Sequence, residues 1–280
     1  MPITSQDFDL LRQFIQQQCG LVVGEEKTYL IEGRLSQIML EAGCENFRDF
    51  YLKAKDSSNQ NLREKIIDSI TTHETFWFRD ERPWKVINDV LIPEFIQNLK
   101  LGKKNKIRIW CAACSSGQEP YSLALSIDNY LSKNPSSIRT ESFEILATDI
   151  STSTLALAKA GRYNQIEISR GLNQQMREKY FTKEGPVYTL NEDIRKRITF
   201  KQLNLQDSFI NLGKFDLILC RNVIIYFSEQ FKKDLLARFT NILNPPGYFF
   251  LGASESLLGY STAFDVLEHE KALYYKLKGK

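Results

Sequence analysis

The chain has 280 residues, 42% of them hydrophobic and 25% charged, with a formal net charge of +3, the composition of a soluble globular protein with room for one large or two ordinary domains. The charge is too small to point to nucleic acid, and no apolar run approaches the ~18 residues of a membrane span. The stretch Met1–Asp7 lacks the apolar core of a signal peptide.

Residues 1 to about 75 read as helical, because apolar residues recur at helical spacing and cap residues punctuate them. Thr4 or Ser5 caps a first helix whose Phe8, Leu11, Phe14 and Ile15 share a face, and Gly20 ends it. Glu25 to Glu41 is a second helix with Leu30, Ile31, Leu35, Ile38 and Met39 inward. Asn46 to Ala54 and Gln60 to Ile70 are two shorter ones. Lys27, Arg34, Lys53, Lys55, Arg63 and Lys65 give this block a basic character. A solvated surface and a docking face for an acidic partner are both open readings.

A helical link from Glu81 to Asn98, with Pro83 and Pro93 limiting its segments, leads into alternating strands and helices. Ile107 to Ala113, Phe143 to Asp149, Phe215 to Cys220 and Tyr248 to Gly252 read as strands. Glu119 to Leu131, Thr152 to Ala160 and Glu229 to Leu243 read as helices. Such alternation predicts an α/β fold with a parallel sheet covered on both faces. Val187 to Leu190 and Ile194 to Gln202, joined by Asn191 to Asp193, read as a small antiparallel ribbon inserted at about 183–203. Asn244–Gly247 reads as a turn between helix and strand. Phe264 to Glu268 and Ala272 to Leu277 read as a closing hairpin. The domain expectation is thus an all-α domain at 1–75 and an α/β domain at 76–280 carrying the insert.

The strand Ile107–Ala113 breaks at Ser115, Ser116 and Gly117 and restarts as a helix at Glu119 and Pro120, the junction where open α/β sheets place ligands. A single glycine excludes the dinucleotide fingerprint and the P-loop. Glu119 disfavours a polyphosphate and suits a ligand with positive charge or amine and hydroxyl donors, as S-adenosylmethionine has. Asp149 ends the next strand and can accept from ribose hydroxyls or merely cap the following helix. Arg221 and Asn222 end the strand 215–220 at the same sheet edge, with Tyr226 on the loop beyond. Thr71–Asp80 joins the two domains and is dense in donors and acceptors. Cys111 and Cys114 form a CxxC without a second pair, and the two histidines are His73 and His269, so neither zinc nor a thioredoxin-type couple is expected. The five cysteines, an odd number without a secretion signal, read as reduced thiols of a cytoplasmic protein.

Four segments, Thr71–Arg79, Cys114–Ser122, Thr148–Asp149 and Cys220–Phe227, follow one another in an order in which the chain resembles the CheR family, the bacterial chemotaxis receptor glutamate O-methyltransferases. The resemblance covers nearly the whole chain. It implies a Rossmann-like S-adenosylmethionine-dependent methyltransferase sheet, with cofactor contacts from His73, Thr75, Arg79, Glu119, Asp149, Asn204, Leu205, Arg221 and Asn222, and with Arg79 and Tyr226 beside the transferred methyl group. The family usually has asparagine where this chain has His73. The insert around Gly185–Asp193 is shorter than in relatives that grip a receptor's tail peptide. The partners implied are the cytoplasmic helices of methyl-accepting chemotaxis receptors, met without tight tail tethering, by a monomer that neither binds nucleic acid nor inserts into the membrane. Methylation of another substrate, or a non-catalytic signalling module on the same fold, are the alternatives. The first predicts a base-stacking motif or strongly basic cleft; the second predicts loss of Arg79, Tyr226 or the cofactor loop.

Overall fold

Four helices form the N-terminal part of the computed structural model, which describes residues 2–279. Helix α1 (Ser5–Cys19) opens on the Thr4 hydroxyl, which accepts from the Asp7 N–H, and closes on left-handed Gly20. Helices α2 (Thr28–Glu41), α3 (Phe47–Lys55) and α4 (Gln60–Ile70) follow. Their apolar faces meet in a core of their own around Leu11, Ile15, Ile31, Leu35, Phe50 and Ile66. Several basic residues of this block have structural tasks. The Arg34 guanidinium donates to the backbone oxygens of Ser69, Ile70 and Thr71 at 3.2, 2.9 and 3.1 Å. Arg63 donates to those of Asp56 and Ser57 at 2.6 and 3.0 Å, and Lys53 to that of Ala42 at 2.6 Å. All three satisfy carbonyls left over at helix C-termini. Lys27, Lys55 and Lys65 remain exposed.

The segment that leads into the sheet is one helical rod: α5 (Arg82–Val86), a π-helical turn at Ile87–Leu91 and α6 (Ile92–Lys100) run on without a break. The expectation that Pro93 bounds a segment is therefore corrected. Proline removes one backbone donor and its ring crowds the preceding turn, and the wider π turn lies directly before it.

Strand β1 (Ile107–Ala112), helix α7 (Gln118–Lys133), β2 (Phe143–Asp149) and α8 (Thr152–Ala160) alternate as the pattern predicts. Then come β3 (Arg162–Asn164), α9 (Gln165–Ser169), α10 (Gln174–Tyr180), β4 (Phe181–Glu184), β5 (Val187–Leu190), α11 (Glu192–Arg195) and β6 (Ile198–Gln202). The chain ends with β7 (Phe215–Cys220), α12 (Glu229–Ile242), β8 (Leu243–Phe250), β9 (Phe264–His269) and β10 (Ala272–Leu277). Seven strands form one sheet in the order β6-β2-β1-β7-β8-β10-β9. The first five are mutually parallel, and β10 runs antiparallel to both β8 and β9. Both faces are covered: Ile109 and Cys111 enter one core, Trp110 and Ala112 the other. That is why the strand reads as an unbroken apolar run.

The inserted antiparallel subdomain exists with Val187–Leu190 at its centre, as expected, but its other strands are not the expected one. Its order is β3-β5-β4. Ile198–Gln202 does not pair with Val187–Leu190; it lies parallel to β2 at the edge of the main sheet. The helical turn α11 re-aims the chain between them. Asn244–Gly247 is likewise no free turn, but the start of β8, where its register against β7 shifts. The closing hairpin is as read. Glu270 and Lys271 both have positive φ, 46° and 63°, as a two-residue type I′ turn requires.

From central β1 the chain builds outward to β2 and β6, then returns to place β7 on β1's other side. The β1/β7 boundary is thus the sheet's switch point, where ligand crevices form beyond the strand ends. The helical domain reaches this edge too: Leu21 bridges to Phe227, and the Val22 N–H donates to the Tyr226 oxygen at 2.9 Å. No helix among the described residues is long and apolar enough to cross a membrane.

Candidate functional site

The loop after β1 turns sharply, with Ala113, Ser115 and Gly117 at φ 60°, 49° and 93°. A Cβ on Gly117 would stand 3.0 Å from the Ala158 Cβ and 3.1 Å from the Tyr121 ring, so this one glycine serves both a left-handed turn and close packing. The loop is pinned to β2 by the Cys114 N–H, which donates to the Thr148 oxygen at 2.9 Å. The Ser115 N–H donates to Asp149 Oδ2 at 2.7 Å, and the Ser151 N–H to Oδ1 at 3.0 Å. Asp149 is buried, and burial holds its carboxyl above the usual range while these amide donors partly offset the shift.

Arg221, at the end of β7, is 1% exposed at its side chain. It donates to Glu119 Oε2 at 2.9 Å, to Asp80 Oδ2 at 2.8 Å and to the Arg79 backbone oxygen at 2.7 Å. Burial raises the Glu119 carboxyl, with Arg221 pulling against it. The Trp84 indole N–H also donates to the Arg79 oxygen, at 3.0 Å. Phe78, Asp80 and Glu81, all non-glycine, have positive φ. Such residues each cost on the order of 1–3 kcal/mol and persist where their surroundings hold them. Here the Arg221 and Trp84 bonds hold the turn, and with it Arg79. The Arg79 guanidinium donates to the Glu74 oxygen at 2.8 Å and lies 5.4 Å from the Phe76 ring centroid.

These side chains surround one cavity, partly open to solvent, with an accessible volume of about 100 Å³. His73, Thr75, Arg79, Glu119, Asp149, Asn204, Leu205, Arg221, Asn222 and Tyr226 all line it. The contacts limit what some of them can do. The Asn204 amide donates to the Gln18 oxygen at 2.7 Å, and its Oδ1 accepts from the Gln206 N–H at 3.0 Å. Its side chain therefore ties α1 to the sheet. Arg221, expected as a cofactor contact, has two of its nitrogens engaged with Glu119, Asp80 and the Arg79 oxygen. His73 Nε2 lies 2.9 Å from Thr71 Oγ1 and 3.1 Å from the Asp68 oxygen. A backbone oxygen can only accept, so Nε2 is the donor in the contact with Asp68.

Four contributors escaped the sequence. Cys19 and Leu21 bring the helical domain into the cavity wall, but nothing in an apolar helix end announces that. Asp80 joins Arg221, and only its place beside Arg79 hinted at it. Glu255, beyond β8, accepts from backbone amides of the loop that carries Asn222. Its signal was a lone acid after a strand-ending glycine. The five thiols are buried and free of disulfides. Burial pushes Cys19 up to about 11 and holds Cys111 and Cys114 well above the ordinary thiol range, so the CxxC carries no ready thiolate.

The donor set fits S-adenosylmethionine. Asp149, buried, and Glu119, with its side chain 12% exposed, are acceptors suited to hydroxyl and ammonium donors. The buried Nε–H of Arg221, a residue that lines the same cavity, has no partner among the described residues and suits a carboxylate.

A family described as CheR methyltransferase, SAM binding domain, matches residues 73–273, and one described as CheR methyltransferase, all-alpha domain, matches residues 6–71. The chain is similar to chemotaxis protein methyltransferase Cher2 of Pseudomonas putida, 40% identical over 273 residues that cover 97% of this chain and 98% of the relative. It is 40% identical over 279 residues to chemotaxis protein methyltransferase 1 of Pseudomonas aeruginosa, covering 99% and 100% of the two chains. The corresponding protein of Vibrio parahaemolyticus is 39% identical over 277 residues, covering 99% and 98%.

Proposed function

The chain belongs to the CheR methyltransferase family, and from that premise we propose that it transfers methyl groups from S-adenosylmethionine to glutamate side chains of chemotaxis receptors, giving glutamyl methyl esters and S-adenosylhomocysteine. The observation that carries the reading is the single cavity at the β1/β7 switch point, where Glu119, Asp149, Arg79 and Tyr226 converge. The cofactor, when bound, supplies a methyl group activated on a sulfonium sulfur.

The chain's own residues bind, orient and exclude water. A substrate glutamate, with an ordinary pKa near 4.3, is already ionised at neutral pH, so the site needs no general base. Asp149 accepts from ribose hydroxyls and Glu119 from the ammonium, its second oxygen being fixed by Arg221. Tyr226 donates its hydroxyl to the substrate carboxylate, and Arg79 lends positive charge beside it. Holding reactants in a near-attack geometry removes ~7–11 kcal/mol of a bimolecular barrier. Against a non-catalytic module, Arg79, Tyr226 and the loop after β1 are all present and line the cavity.

The reaction belongs in the cytoplasm, where receptor signalling helices lie, and the enzyme works as a monomer. It meets the methylation region directly, without a tight grip on a receptor tail. The support is the small size of the insert: β4 has four residues and closes on β5 over Gly185 and Pro186. The test is incubation with labelled S-adenosylmethionine and membranes of the source organism. A base-labile label on a membrane receptor is expected; label in nucleic acid, or none in any membrane protein, overturns the reading.

A further inference from the structure

Tyr226 sits at the end of a short 3-10 turn, Ile224–Tyr226, and such a turn begins with backbone N–H groups that have no partner inside it. One side chain collects them. The Glu255 carboxylate accepts from the N–H of Asn222 at 2.7 Å, of Val223 at 2.9 Å and of Ile225 at 3.3 Å. It also accepts from the Gly252 N–H at 2.6 Å, and the Glu255 N–H donates back to the Gly252 oxygen at 3.0 Å. Gly252 belongs to the same device. A Cβ there would stand 2.8 Å from the Asn222 backbone nitrogen, so only glycine lets the two segments close. Asn222 itself is held at φ 60°, a conformation that asparagine tolerates better than most residues but does not choose unaided.

We propose that Glu255 is a positioning residue: by gathering the amides of the Asn222–Ile225 turn, it sets where Tyr226 stands in the methyl-transfer site. The proposal rests on the assignment of Tyr226 to substrate orientation. Four donors to one carboxylate suit an ionised, acceptor-only group. Glutamine is isosteric but would turn an NH₂ toward some of these N–H groups.

Two measurements on the full chain test it. In Glu255→Gln, the amides of Asn222, Val223 and Ile225 should exchange with solvent at least about tenfold faster, while the core strands keep their protection. Unchanged protection of those amides overturns the proposal. This measurement needs no methyl acceptor, so its failure is distinguishable from a failure of receptor methylation. The second is a double-mutant cycle on kcat. Glu255→Gln should lower kcat by about 10–100-fold in the wild-type background and by less than about threefold once Tyr226→Phe is in place. Equal losses in both backgrounds would make Glu255 a merely structural residue. Glu255→Asp keeps the charge on a shorter arm and should fall between wild type and Glu255→Gln in both measurements; an Asp variant no better than Gln overturns the requirement for the carboxylate.

Discussion

Tyr226 lines the cavity while its hydroxyl makes no side-chain hydrogen bond among the described residues. If that hydroxyl orients the acceptor carboxylate, Tyr226→Phe should lower kcat by about 10²-fold while affinity for S-adenosylhomocysteine, measured by calorimetry, stays within about threefold; parallel loss of both makes Tyr226 a binding residue instead. Asp149 has the opposite character, a buried group whose bonds are already half used. Its carboxyl titrates above the ordinary range because it is buried, and a ligand hydroxyl donating to the ionised form would pull it back down. Ligand and proton therefore oppose each other. Affinity for S-adenosylhomocysteine should weaken as pH falls through the raised value. In Asp149→Asn the affinity should be weaker by about tenfold or more and lose this acid-side dependence. A wild-type affinity that is flat down to the ordinary aspartate range would remove Asp149 from the contact set.

At the scale of elements, sequence periodicity served where one force dominates. Leu11, Ile15 and Leu35 mark helix faces because burial follows the helical repeat, and Ile107–Ala112 marks a central strand because both its faces are covered. Thr4 and Gly20 mark helix ends because each satisfies a local need of the backbone. The reading failed where pairing is non-local. Ile198–Gln202 could as well lie beside Val187–Leu190 as beside β2, since nothing in its residues names the neighbour. Pro93 broke the helix on paper because a π turn leaves no compositional mark. The site was legible where strand ends carry polar residues, as at Asp149 and Arg221. It was illegible at Cys19 and Leu21, whose part in the cavity depends on how one domain meets the other. The insert provides a test of its own. An edge strand can capture an extended peptide through main-chain hydrogen bonds, but four residues of β4 offer few of them. An aromatic-rich pentapeptide with an acidic residue should show no micromolar binding in calorimetry; a micromolar dissociation constant would establish tail tethering.

For the whole molecule, the decisive feature is that the cavity belongs to both domains. The Asn204 amide holds the Gln18 oxygen, Gln206 reaches the Gln16 oxygen at 3.3 Å, and the Val22 N–H holds the Tyr226 oxygen. A ligand filling the cavity should thus slow amide exchange at Val22 in the helical domain as well as in the loops after β1 and β7. Protection confined to the sheet loops would show that the two domains respond separately. The same arrangement bears on synthesis. Chains emerge N-terminus first and their domains tend to fold as they appear, so α1 to α4 can close around Leu11 and Ile31 early. The walls of the cavity arrive piecemeal, from Cys19 through Asp149 to Phe227, and Glu255, which holds the last of their loops, follows. A nascent chain on the ribosome would therefore gain cofactor binding late and all at once, after the segment beyond β8 has emerged, leaving partly made chains unable to sequester S-adenosylmethionine.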